Sequence, residues 1–126
     1  MARFGPRDVE RLLADAAIVR HRGKIEAAIA NARATLALRE AGSPLPELMW
    51  AHAPGRRTPV RTQSDWAAST PESTALSNAL RQAGFRFVGP TTVYATMQAC
   101  GIVNDHLESC WVRQAVERER TVTVTT

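Results

Sequence analysis

Apolar residues recur at helical spacing along most of the chain, in blocks separated by glycine, proline and polar breaks. In DVERLLADA, which starts at Asp8, Val9, Leu12, Leu13 and Ala16 share one face and an acid occupies the first turn, a pattern that predicts a short amphipathic helix. A longer helix is expected from Lys24 to about Glu40, with Ile25, Ile29, Ala32 and Leu36 facing inward and Gly42 just past its end. LPELMW marks a brief helical stretch, and APGRRTPVRTQSDW reads as a surface loop rich in Pro, Gly and Arg. STALSNALRQAG places Leu76, Ala79, Leu80 and Ala83 on one side and stops at Gly84. The apolar link FRFVG then leads to a helix opened by Pro90 and closed by Gly101. A last helix is expected after Asn104, a good N-cap residue, with Leu107, Trp111 and Ala115 on one stripe. TVTVTT alternates like a strand without a partner and is expected to fray. No internal repeat or low-complexity tract interrupts this order. The fold class is therefore all-α, a helical bundle.

At 126 residues the chain is the size of one small domain. It carries no apolar run long enough for a membrane span and no basic-then-apolar leader, so a cytoplasmic protein without a membrane partner is expected. Cys100 and Cys110 lie outside any disulfide-scaffold spacing, as suits a reducing compartment. The net charge of +4 is unevenly placed. Residues 1–63 hold eleven Lys and Arg against six Asp and Glu, whereas residues 64–126 hold five against six. A basic first half favours a polyanionic partner, with nucleic acid foremost.

The basic surplus is concentrated at LLADAAIVRHRGKIEAAIANA, where a turn between two helices carries Arg20, His21, Arg22, Gly23 and Lys24 with no acid between Asp15 and Glu26. Gly23 is expected to let the backbone turn sharply and pass close to a partner, and the following helix to offer free N–H groups and the positive end of its dipole. A helix-hairpin-helix of this kind holds a DNA backbone without reading its sequence. The alternative is a plain helical hairpin whose cations are solvated.

ADAAIVRHRGKIEAAIANARA, together with ALSNALRQAGFRFVGPTTVYATMQACGIVNDHLESC, resembles the C-terminal two thirds of the DNA-3-methyladenine glycosylase I family, within the helix-hairpin-helix glycosylases. The resemblance runs from about Asp8 to Trp111. It implies hydrolysis of the N-glycosidic bond of alkylated purines such as 3-methyladenine, in double-stranded DNA, and it makes Arg20 to Lys24 the DNA clamp. Residues 1–113 would then form the helix-hairpin-helix domain, shortened at its N-terminal side, with 114–126 as a helix end and tail. The family's recognition Glu and most of its pocket aromatics lie ahead of where this sequence begins, so no catalytic residue is assigned. A non-catalytic helix-hairpin-helix DNA-binding module is the alternative. Helix faces left without those N-terminal partners imply self-association.

The family also implies a structural zinc held by an N-terminal Cys and His and a C-terminal His-x-x-x-Cys pair. His106 and Cys110 match the second pair, which on a helix would share one side. The first pair has no counterpart, since no Cys precedes Cys100, and His21 and His52 sit in the hairpin and in a short helical stretch. Cys100 reads as core packing. At FVGPTTVY, Thr91, Thr92 and Tyr94 either line a pocket or touch DNA, or else the threonines cap the helix while Tyr94 packs. Trp50, Trp66 and Trp111 are candidates for stacking or for core.

Overall fold

The structure is a computed structural model that describes residues 1–55 and 58–125, the last four by backbone alone. Six α-helices follow in order: α1 (Pro6–Ala14), α2 (Arg22–Glu40), α3 (Leu45–Trp50), α4 (Pro71–Gln82), α5 (Pro90–Ala99) and α6 (Arg113–Thr125). A single 3-10 turn spans Gln63–Asp65 within the expected loop. That loop also includes Arg56 and Arg57, which lie outside the described residues. The only β pairing among the described residues is an isolated parallel bridge between Val60 and Leu107. The all-α expectation therefore holds. The chain divides into two compact units, Met1–Leu45 with Asn78–Val88, and Pro46–Ser77 with Gly89–Thr126.

In the first unit the predicted stripe of α1 meets that of α2. Val9, Ile25 and Ile29 are buried together, with Phe4, Leu12 and Leu13 packed against them. Each such side chain contributes roughly 1.5–3 kcal/mol when fully buried. Ala27 and Ala34 are also buried on α2, whereas Leu36, expected to face inward, is exposed. Arg33 extends the packing with hydrogen bonds, donating to the carbonyls of Ala2 (2.9 Å) and Phe4 (2.8 Å). Asp8 accepts from the Gly5 N–H at 3.0 Å, and this bond with the Arg11 guanidinium holds its carboxyl below the usual range. Gly84 ends α4 at φ +91°, a left-handed conformation that glycine adopts at no steric cost.

In the second unit α4 begins two residues earlier than its apolar pattern, because Thr70 and Ser73 cap each other. The Thr70 N–H donates to Ser73 Oγ (2.8 Å) and the Ser73 N–H to Thr70 Oγ1 (3.2 Å). Leu76, Val93, Tyr94, Met97, Ile102 and Val103 are buried in this unit. Cys100 is exposed rather than packed in the core, because it is the C-cap of α5 where the chain leaves the helix.

The largest departure from the sequence pattern follows Asn104. Residues 104–112 form turns, and α6 starts only at Arg113. The carbonyls that an α-helix would use are occupied by side chains. Trp66 Nε1 donates to the Asp105 carbonyl (2.9 Å), and Arg113 donates to the carbonyls of Asn104 and His106. The Glu108 N–H also donates across to the Val60 carbonyl at 2.7 Å. Trp111, placed on a helical stripe by the sequence, is exposed. The segment expected to fray continues α6 as helix through Thr125.

Asn104 and Arg120 tie α6 to this segment. Asn104 Nδ2 donates to the Arg113 carbonyl (3.0 Å) and to Glu117 Oε2 (2.9 Å), and Arg120 donates to Glu117 (3.1 Å) and to the Ile102 carbonyl (2.9 Å). The Asn104 amide, aided by the Arg120 charge, holds the Glu117 carboxyl below the usual carboxylate range. A depressed carboxyl stabilises the fold above that range, and the contribution is lost as pH falls through it. Glu117 is half exposed, so solvent screening keeps the contribution to about 1 kcal/mol or less. Glu117→Gln is therefore expected to lower the melting temperature at pH 7 and to melt with the wild type at pH 3. An equal gap at both pH values in thermal melts would contradict the ionic latch.

Candidate nucleic-acid interface

The connection between α1 and α2 folds through short-range hydrogen bonds. The Asp15 N–H closes α1 on the Leu12 carbonyl (3.2 Å), the Ala17 N–H donates to the Asp15 carboxylate (2.9 Å), and the His21 N–H reaches the Val19 carbonyl (2.9 Å). The turn thus occupies Asp15–Arg20. His21 is the N-cap of α2, with extended backbone at φ −116° and ψ 106°. Its ring Nδ1 accepts from the Lys24 N–H at 3.1 Å, and its carbonyl accepts from the N–H groups of Lys24 and Ile25. No described residue accepts from the N–H groups of Arg22 and Gly23. They open the helix toward an external oxygen, where the dipole favours negative charge.

Gly23 does a different job from the one its sequence context suggested. It lies inside α2 and is not among the glycines of positive φ. A Cβ there would come within 3.1 Å of His21 Cε1 and 3.6 Å of Phe87 Cζ. The missing side chain therefore relieves a tight contact with the capping ring, and the turn itself is made upstream.

All five residues from Arg20 to Lys24 are brought together, and the four with side chains are exposed. Arg20 and Lys24 have no acidic partner among the described residues. The Arg22 guanidinium lies 2.8 Å from Glu10 and 3.9 Å from Glu26. Both pairs are about half exposed, and such pairs are worth about 0–1 kcal/mol, so a phosphate can replace them. Ile18 and Val19, just before this corner, are exposed as well.

The loop after α4 supplies two residues that the sequence did not single out. The Asn31 side chain grips the backbone of Arg86 at both ends, with Nδ2 donating to the Arg86 carbonyl (3.0 Å) and Oδ1 accepting from the Arg86 N–H (2.7 Å). The next residue, Phe87, has φ +56° and is the one described non-glycine residue with positive φ. That conformation costs a non-glycine residue about 1–2 kcal/mol. The Phe87 ring meets the His21 ring edge to face at 6.3 Å and 87°, yet 59% of the residue is exposed. Within FRFVG nothing in residue type or period marks either feature.

In the second unit Thr91 and Thr92 are exposed on the first turn of α5. The N-cap is Gly89 with no side-chain cap, so the threonines do not cap the helix. Tyr94 is buried and donates its hydroxyl to the Asp105 carboxylate, which also accepts from Gln98 Nε2 at 3.0 Å. An open cavity of about 580 Å³ lies in this unit, lined among others by Trp66, Gln98, Asp105, His106 and Glu119, and another of about 690 Å³ is lined by Val60, Arg61, Asp65, Tyr94 and Asp105 among others.

His106 and Cys110 do converge, with Nδ1 and Sγ 3.7 Å apart, though a turn and not a helix brings them there. Tetrahedral ligands roughly 2.3 Å (S) and 2.0–2.1 Å (N) from a zinc would lie about 3.6 Å apart. The pair therefore has the spacing of two zinc ligands. No group of three or more His, Cys, Asp or Glu suited to a metal occurs among the described residues, so these residues alone do not close a four-coordinate site.

A helical hairpin that opens a basic helix N-terminus is the frame of a helix-hairpin-helix protein. The chain belongs to the methyladenine glycosylase family, whose sequence model matches residues 1–114. It is 51% identical over 106 residues to DNA-3-methyladenine glycosylase 1 of Escherichia coli strain K12, covering 82% of this chain and 56% of that protein. With the DNA-3-methyladenine glycosylase of Haemophilus influenzae it shares 35% identity over 114 residues, 87% of this chain and 60% of the relative. A crystal structure of 3-methyladenine DNA glycosylase I superposes with TM-score 0.82 at 46% identity, over 87% of this chain and 62% of that one. The Staphylococcus aureus enzyme, whose structure describes 3-methyladenine recognition, superposes with TM-score 0.81 at 31% identity, over 89% and 61%. The chain thus spans a little over half the length of the curated relatives it matches.

Proposed function

We propose that this protein acts in the repair of alkylated DNA as a DNA-3-methyladenine glycosylase, a hydrolase that cleaves the N-glycosidic bond between an alkylated purine and its deoxyribose. The observation that carries this reading is family membership over residues 1–114. The hairpin supplies the physical means. The Arg22 and Gly23 amides and the Arg20 and Lys24 cations would hold phosphates of double-stranded DNA regardless of sequence, while the damaged base leaves the stack. Cytoplasmic action is part of this reading, and among the described residues no helix is long and apolar enough to cross a membrane.

A second reading, a DNA-binding module without base release, is favoured by one observation. The two cavities of about 690 and 580 Å³ each offer a single Phe, Tyr or Trp ring, Tyr94 and Trp66 respectively, whereas an extruded base needs stacking between rings and hydrogen bonds along its edge. Thr91 and Thr92, exposed beside each other, are further candidate DNA contacts, and Tyr94 serves to hold Asp105. Self-association is proposed through exposed apolar side chains such as Trp111.

His106 and Cys110 would supply two ligands of a structural zinc, with two more donors from outside the described residues. Dialysed 126-residue protein should therefore retain well under one equivalent by metal analysis, and a tightly held full equivalent would show that this chain closes the site itself.

The two functional readings separate in one experiment with purified chain. Duplex binding should be tight at low salt and fall steeply as salt rises, and Arg20→Glu with Lys24→Glu should weaken it for any sequence and flatten the salt dependence. Incubation with methylated DNA then scores released 3-methyladenine. Release by the wild type establishes the enzyme. Binding without release establishes the module, and absence of duplex binding at low salt would overturn both.

A further inference from the structure

A bulky side chain in the left-handed region, largely exposed and flanked by a clamped backbone, is costly unless it is used. Phe87 meets all three conditions. Asn31 fixes Arg86 from both sides, and the fixed backbone delivers the Phe87 ring beside the His21 cap and within reach of Gly23. Arg20, Lys24 and Arg86 are exposed around it or next to it in the chain, so a polyanion drawn to these cations would meet the ring.

We propose that Phe87 is a second, apolar contact to the DNA strand whose phosphates the hairpin holds, and that Asn31 is the positioning residue that keeps it there. The ring would pack against the deoxyribose next to the gripped phosphates, or against a base face exposed where the strand leaves the stack, where an aromatic surface binds without reading sequence. This rests on the hairpin being the DNA clamp. The chemistry differs, however. The corner contributes charge and amides, while Phe87 contributes surface, so its contribution is independent of salt.

The test is fluorescence anisotropy of the 126-residue chain with a short labelled duplex over a range of salt. Phe87→Ala is expected to weaken binding about 5- to 150-fold, the range for aromatic truncation at a stacked nucleotide, with no change in salt slope. Lys24→Ala, by contrast, is expected to lower the slope by about 0.9. Phe87→Trp should keep the affinity, and Asn31→Ala should lose it in parallel with Phe87→Ala. Phe87→Gly removes the left-handed strain, so it should melt no lower than the wild type while still losing affinity, which a purely structural role would not produce. If Phe87→Ala binds within twofold of the wild type while Lys24→Ala loses slope, the clamp stands and the Phe87 contact is overturned. If the wild type itself ignores duplex at low salt, the clamp fails and the contact with it.

Discussion

The hydrogen bond from the Lys24 N–H to the His21 ring fixes the place where α2 begins, and the character of the hairpin follows from that place. By capping at residue 21, the ring satisfies one of the amides that open any helix and leaves those of Arg22 and Gly23 without an acceptor among the described residues. An N-cap of this kind is worth about 0.5–2 kcal/mol. The absence of a side chain at residue 23 favours it, since a Cβ would stand 3.1 Å from the ring, a tight contact. The Val9–Ile25–Ile29 core then holds α1 and α2 as a pair. Loss of the cap would leave the same hydrophobic hairpin without a defined entry, and the exposed amides would have no fixed direction.

Much of this organisation was legible in residue type and period. Stripes at 3.6-residue spacing, a proline at the start of α5 and glycines past the ends of α2, α4 and α5 marked the helices to within a few residues. Arg20 to Lys24 stood out as a cationic run without acids. What escaped was set by side chains reaching across the chain. The helix expected from Asn104 does not form because Trp66 and Arg113 take its carbonyls, and nothing near Asn104 announces partners 39 and 9 residues away. Asn31 and Phe87 escaped for the same reason, since a clamp spanning 55 residues leaves no local pattern. Gly23 lies inside α2 and not in the turn, because a helical glycine beside a ring and a glycine that makes a turn look alike in sequence.

His106 and Cys110 come together, though not by the helix that their spacing suggests. A separation of four residues suggested one helical turn, and a non-helical turn tied down by Arg113 brings the two donors to 3.7 Å. The segment is shared with Asp105, which accepts from Tyr94 and Gln98. The His106–Cys110 pair and the partner of a buried tyrosine are thus held by one short stretch, whose carbonyls accept hydrogen bonds from side chains.

The central claim is that the α2 entry holds the DNA backbone through its own amides. Titration of isotopically labelled protein with an unmodified duplex, followed by amide resonances in NMR, tests it directly. The Arg22 and Gly23 amides are expected to shift first and most, saturating with the duplex concentration that saturates binding. Saturable duplex binding that leaves these two resonances in place would contradict it.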